Sequence, residues 1–189
     1  MLDTVKTRVN GLDLAALGEV VGAIEQDASQ AQVGFDVVTR WTGQTRSETM
    51  VEGYTLAGNR IARRHKIVAD EPCELLGTDS APNPQELLMA AFNACITVGY
   101  VAGAAVNGIT LDSLEIRTRG KLDLRGFLGL SDEVPAGYTD IDYEVRIKGN
   151  GTPEQFEEIH QNVIKTSPNY FNMSRPIRMN PTLTVGWAL

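Results

Sequence analysis

Leu14, Leu17, Val21 and Ile24 recur at i, i+3, i+7 and i+10, while Glu19, Glu25 and Asp27 fall off that stripe. The spacing predicts an amphipathic helix within residues 11–29, one that must dock on the body of the protein or on a partner chain. Three strand-like segments follow at 35–41, 48–56 and 64–69, punctuated by Gly43, Gly53 and the Ala57-Gly58-Asn59 turn. Their order predicts an antiparallel meander. Residues 113–122 alternate Leu114, Ile116 and Thr118 against charged neighbours. Residues 138–148 alternate more strictly, with Ile141, Tyr143, Val145 and Ile147 on one face and Asp140, Asp142, Glu144 and Arg146 on the other. Both read as strands with one buried face. Between them Gly126-Phe127-Leu128-Gly129-Leu130 is an apolar loop, either an interface contact or a pocket wall. Thr152-Pro153-Glu154-Gln155 opens a late helix with Phe156, Ile159, His160 and Val163 on its apolar face; Ser167 precedes Pro168 and is biased out of it. A last strand is expected at 181–187.

The stretch with the least polarity is the central one. Asn83 can cap a helix whose first residue is Pro84, and Glu86 stands three residues after the cap. From residue 87 to residue 111 there is no formal charge. Asn107-Gly108 closes the helix. A helix with no polar face is buried on nearly all sides. It carries Cys95 about three turns in, either as a small core residue or as a reagent held away from bulk water.

Composition narrows the setting. The 189 residues fit one domain with an appendage, 42% are hydrophobic, and the formal net charge is -7. An acidic chain lacks the basic surface that nucleic acid or an anionic membrane needs, so neither is expected as a partner. Arg60, Arg63, Arg64 and Lys66 come nearest to a basic cluster and read as a solvated strand flank. The uncharged run is long enough for a membrane span, but Asn93, Thr97, Asn107 and its glycines favour a core helix. The first residues lack a signal-peptide pattern, and two cysteines make no disulfide framework. The expected setting is cytoplasmic and reducing.

Most site chemistries lack their residues. No phosphate-cradling glycine loop and no G-x-S-x-G elbow occurs. The two histidines, His65 and His160, have no partners at metal spacing, so no metal and no cofactor is expected. His160 reads either as a satisfied core histidine or as a base. Thiol chemistry remains.

The run Asn83-Pro84-Gln85-Glu86-Leu87-Leu88-Met89-Ala90-Ala91-Phe92-Asn93-Ala94-Cys95 resembles the central helix of the osmotically inducible protein C (OsmC) and organic hydroperoxide resistance family. The late helix followed by Ser167-Pro168 resembles that family's second signature, where cysteine-proline is usual. The resemblance implies an α+β, OsmC-like fold: two antiparallel β-sheets around two central helices, here with an extra N-terminal helix. Residues 1–33 would form that helical extension and 34–189 the OsmC-like domain. It also implies an intertwined homodimer and thiol-dependent reduction of organic hydroperoxides. In the family one cysteine attacks the peroxide, a second resolves the sulfenic acid as a disulfide, and an arginine and a glutamate steady the thiolate.

Carried onto this chain, Cys95 stands at the attacking position. It lies too far along its helix for the N-terminal dipole, so a cation must come from elsewhere. Arg46, in an early glycine-containing turn, is the candidate, with Arg40 as the fallback. Three departures stand out. Gln85 follows the proline where peroxidase members place the glutamate, leaving Glu86 as either that residue or a capping residue. Ser167 occupies the resolving position and cannot form a disulfide. Cys73 is extra to the pattern. The expectation is a one-cysteine hydroperoxide reductase with Cys95, Arg46, Glu86 and Ser167 at its site, recycled by an external thiol. The alternative is a non-catalytic protein that keeps the fold and holds a small apolar ligand among Met89, Phe92, Phe127, Tyr170, Phe171 and Met173.

Overall fold

Two short strands, β1 (Arg8–Val9) and β2 (Leu12–Asp13), begin the described chain; the computed structural model describes residues 8–186. Asn10 and Gly11 turn between them with φ of 52° and 80°. The Asn10 side chain then clamps the ribbon to the molecule, donating to the Ile109 carbonyl and accepting from the Leu111 N–H, each at 2.9 Å. Asp13 caps α1 (Leu14–Gln26) through the Ala15 and Ala16 N–H groups. The expected stripe is present on α1, but Leu17, Val20, Val21 and Ile24 are all exposed.

The meander follows as β3 (Val33–Phe35), β4 (Val38–Gly43), β5 (Arg46–Leu56) and β6 (Asn59–Ala69). β3 and β4 lie end to end along one edge of β5, so the expected first strand is a single strand broken at Asp36 and Val37. β6 pairs along the other edge and begins earlier than the sequence reading placed it. Ala57 and Gly58, both with positive φ, make the two-residue turn that suits the twist of a hairpin. That turn draws Arg60 and Arg63 into the strand.

After the 70–83 segment comes α2 (Pro84–Val106) with the expected capping box: Asn83 and Glu86 exchange 2.9 Å hydrogen bonds. β7 (Leu111–Gly120), a short α3 (Leu124–Phe127) and β8 (Ile141–Gly149) follow, with β7 and β8 antiparallel. α4 (Pro153–Thr166) and α5 (Pro168–Ser174) end the regular structure. Phe92, Ile96, Tyr100 and Ala104 form one stripe of α2 and are buried with Ile159 and Val163 of α4. The inward faces of β7 and β8, with Ile116, Tyr143, Val145 and Ile147, close over them. α2 is long and apolar enough to cross a membrane; here this stripe is a protein core. The architecture is α+β, with antiparallel sheets and α2 and α4 as its central helices.

Three expectations change. α2 is buried along one stripe rather than on nearly all sides, with Leu88, Val98 and Val106 exposed, because within the described chain it packs chiefly against α4, α5 and β7. Residues 176–186 form no strand, and Trp187 lies outside the described residues. Alternation makes a segment compatible with a strand but does not supply a pairing partner, and Leu183 and Val185 remain exposed. The 126–130 loop is partly helical as α3, with Phe127, Leu128 and Leu130 exposed, which sets aside the pocket wall and leaves the interface contact as the expectation for it.

Candidate functional site

The two central helices run past each other in a register set by glycine. A Cβ placed on Gly103 would stand 3.0 Å from Ile159 Cγ2, and one on Gly99 would stand 3.0 Å from Val163 Cγ2. Each glycine therefore lets α4 approach the α2 backbone. Residues 95, 99 and 103 are spaced one turn apart on α2, as are 159, 163 and 167 on the chain that α4 brings past it. The pairing 103–159 and 99–163 then dictates the next one, 95–167. Accordingly Cys95 Sγ and Ser167 Oγ lie 3.4 Å apart.

Ser167 is held at that point from several directions. It is 7% exposed. Its N–H donates to the Val163 carbonyl at 2.9 Å, and its hydroxyl oxygen caps α5 by accepting the Tyr170 N–H at 3.2 Å. Asn169 donates to the Ala91 carbonyl at 2.9 Å, tying the start of α5 to α2 one turn before Cys95. The cysteine and serine open onto a cavity of about 310 Å³, lined also by Val98, Gly99, Val163, Thr166 and Pro168. None of these carries a charge. The Thr166 hydroxyl is occupied with the Asn162 carbonyl at 2.7 Å. Cys95 and Cys73 are both free thiols; Cys73 is exposed in the Cys73–Leu75 turn and does not line this cavity.

The other two expected site residues stand apart from this pair within the chain. Glu86 is committed to the cap of α2, nine residues before Cys95, roughly 13 Å along the helix axis. Arg46 begins β5, where its guanidinium meets Glu48 at 2.9 Å and donates to the Thr42 hydroxyl at 3.1 Å. Arg46 and then Lys66 hold the Glu48 carboxyl below its ordinary range.

Sequence reasoning missed one acid beside this turn. Asp70 is 1% exposed, and its carboxylate accepts from the hydroxyls of Thr45, Thr78 and Ser80 and from the N–H groups of Glu71, Thr78 and Ser80. These bonds, led by Thr78 and Thr45, hold the Asp70 carboxyl far below the usual carboxylate range. It joins the turn that precedes Arg46 to the segment that feeds α2. The available signal was the run of hydroxyl residues, Thr78 and Ser80, spaced eight and ten residues after an acid in a loop.

His160 proves to be engaged: its Nδ1 bonds the hydroxyl of buried Tyr100, whose phenol burial pushes up. Of the residues expected around an apolar ligand, Phe92, Tyr170 and Met173 line one groove of about 250 Å³ together with Tyr138, Ile141 and Tyr143. Phe127 and Phe171 are exposed instead.

The family model described as OsmC-like protein matches residues 77–182. Among solved structures, the chain is similar to an OsmC like protein from Mycoplasma pneumoniae, with 16% identity, a TM-score of 0.58, and coverage of 74% of this chain and 86% of that one. It is similar also to an OsmC-like protein from Vibrio cholerae, with 15% identity, a TM-score of 0.54, and coverage of 72% and 91%. At such identities the likeness is one of fold. No curated protein matches the chain in sequence.

Proposed function

The chain belongs to the OsmC-like protein family, and from that premise we propose that it reduces organic hydroperoxides with a single reactive cysteine, Cys95. The observation that carries this reading is the 3.4 Å contact between Cys95 and Ser167. It puts the position that would hold a resolving cysteine directly against the attacking thiol, while supplying a hydroxyl that cannot form a disulfide. The Cys95 thiolate attacks the terminal oxygen of the hydroperoxide; an S–O bond forms, the O–O bond breaks, and the alkoxide takes up the thiol's proton and leaves as an alcohol. Sulfur is oxidised by two electrons to the sulfenic acid. An external thiol then displaces water to give a mixed disulfide, and a second thiol frees Cys95 as a symmetric external disulfide departs.

The uncharged cavity favours an apolar peroxide, but none of its lining side chains is a cation that would hold a thiolate. The reading therefore assigns the cation to Arg46 of a second copy of the chain. The four-stranded sheet supports such an assembly: it makes no extensive packing with α2 or α4 of its own chain, and it exposes Phe35 and, to 76%, Trp41. Laid over a partner's helices, that sheet would carry Arg46 towards the partner's thiol. The apolar stripe of α1, within the expected 1–33 extension, would extend the same interface. The need for external thiol assigns the protein to a reducing compartment such as the cytoplasm.

Following Cys95 by intact mass during exposure to cumene hydroperoxide tests the reading. Rapid gain of one oxygen at Cys95, reversed by thiol, is expected. An inert thiol sinks it. The groove floored by Phe92 and walled by Tyr143, Tyr170 and Met173 favours a second reading, an apolar-ligand carrier, which an inert Cys95 would leave standing.

A further inference from the structure

The hydroxyl of Ser167 has two lone pairs to receive with and one proton to give. The Tyr170 N–H points at its oxygen and fills one lone pair at 3.2 Å. Its own proton then needs an acceptor, and among the described residues the Cys95 sulfur, at 3.4 Å, is the other atom with which this oxygen is bonded. An amide cannot give way here, because the Tyr170 N–H belongs to the first turn of α5, where no helical carbonyl is available to it. Once Cys95 is deprotonated it has no proton to give, so across this contact the hydroxyl donates: oxygen toward Tyr170, proton toward Cys95.

From this geometry we infer that Ser167 is the donor that holds Cys95 in its sulfenate form, making the singly oxidised protein a long-lived intermediate. The inference rests on the reading above that Cys95 reacts with hydroperoxides. In that reaction the sulfur gains one oxygen and an alcohol leaves. When the sulfenic acid releases its proton to solvent, the sulfenate carries negative charge and lone pairs against the Ser167 O–H, and a donated hydrogen bond to such a group is stronger than to a neutral one. The same bond withdraws the electron pair that would attack a second hydroperoxide, where another O–O bond would break, a second alcohol would leave and the sulfinic acid would form. A cysteine at 167 would end the intermediate by forming a disulfide. The serine prolongs it until an external thiol arrives through the cavity.

The test compares the full chain in a Cys73→Ser background, so that Cys95 alone reports, with the Ser167→Ala and Ser167→Thr variants. Each is oxidised with cumene hydroperoxide in rising excess, without thiol, and the one-oxygen and two-oxygen masses are followed along with dimedone trapping. One charged hydrogen bond corresponds to about a tenfold change in rate. The alanine variant should pass from sulfenate to sulfinate about tenfold faster, and the threonine variant, which keeps both hydroxyl and cap, should behave like the parent. Equal overoxidation rates in alanine variant and parent would overturn this inference alone, as would a threonine variant that fails to restore the slow rate. A parent Cys95 that takes up no oxygen would overturn the inference together with the reading on which it rests.

Discussion

Cys95 on α2 and Ser167 at the end of α4 meet at 3.4 Å because Gly99 and Gly103 let Val163 and Ile159 reach the α2 backbone one and two turns earlier. The contact is a consequence of helix register rather than of any local attraction between a thiol and a hydroxyl. That distinction matters for what happens when either residue is changed, since the backbones would keep the two positions together.

Replacing Ser167 by cysteine should therefore create the disulfide the chain lacks. A sulfur in place of the serine oxygen must close from 3.4 Å to about 2.05 Å, within what a small χ rotation of either side chain supplies. The Ser167→Cys protein, treated with one equivalent of hydroperoxide, should lose two hydrogens in mass and resist alkylation at both positions. A stable sulfenate or sulfinate at Cys95 with a free thiol at 167 would show that the side chains cannot meet.

The same register gives Gly99 a role that helix propensity alone would hide. An alanine there would place its Cβ 3.0 Å from Val163 Cγ2, and leucine would drive further into a buried side chain. Gly99→Leu should cost about 1–3 kcal/mol by overpacking, against a propensity gain of up to ~1 kcal/mol, and should push α4 away from α2. Combined with Ser167→Cys, it should sharply reduce the disulfide yield measured above. An undiminished yield would show that the glycine contacts do not set the 95–167 distance.

How far the sequence reached is seen in these residues. The capping boxes at Asn83 and Thr152, the stripe of α1, and the alternation through Tyr143 and Val145 are local patterns, and each became the expected element. Ser167 was placed at the site by resemblance to a motif, and its partner was legible for the same reason. The register through Gly99 and Gly103 was invisible because it belongs to two helices at once, and a glycine in an apolar helix looks like a weakness until its neighbour is known. Asp70 was missed because its six donors come from three separate places in the chain. The strand expected at 181–187 failed on the opposite ground: its own pattern was favourable, and residues 181–186 pair with no other strand.

Arg46 and Glu86 separate chemistry from capping. Arg46 is half-buried, and its partner is Glu48. Arg46→Gln should change stability by less than ~1 kcal/mol, as for other accessible ion pairs, yet slow Cys95 oxidation by about tenfold or more if the guanidinium steadies a partner's thiolate. Glu86→Ala should do the reverse, costing about 1 kcal/mol through loss of the reciprocal cap to Asn83 while leaving the oxidation rate unchanged. Thermal melts and stopped-flow oxidation of both variants check the pair. A slow Glu86→Ala protein with an unaltered melt would move that residue into the site.

Asp70 gives the chain an acid-sensitive joint. Hydrogen bonds from Thr78, Thr45 and Ser80 keep its carboxyl ionised far below the usual range in the folded chain, whereas unfolding returns it to about 3.9. A group whose folded value is depressed contributes its full stability above the unfolded value, and loses it as the pH falls below that value. Asp70→Asn should melt several degrees lower at neutral pH, because the amide sets its own donors against hydroxyls and N–H groups that already donate. The asparagine does not titrate, so the gap between the two proteins should narrow from about pH 5 down to about pH 3. Melting curves across that range decide it: a gap that stays constant would mean that Asp70 contributes by shape rather than by its charge. Because Thr45 precedes Arg46, the variant should also slow Cys95 oxidation at neutral pH in parallel with Arg46→Gln, linking the acid-sensitive joint to the chemistry of the thiol.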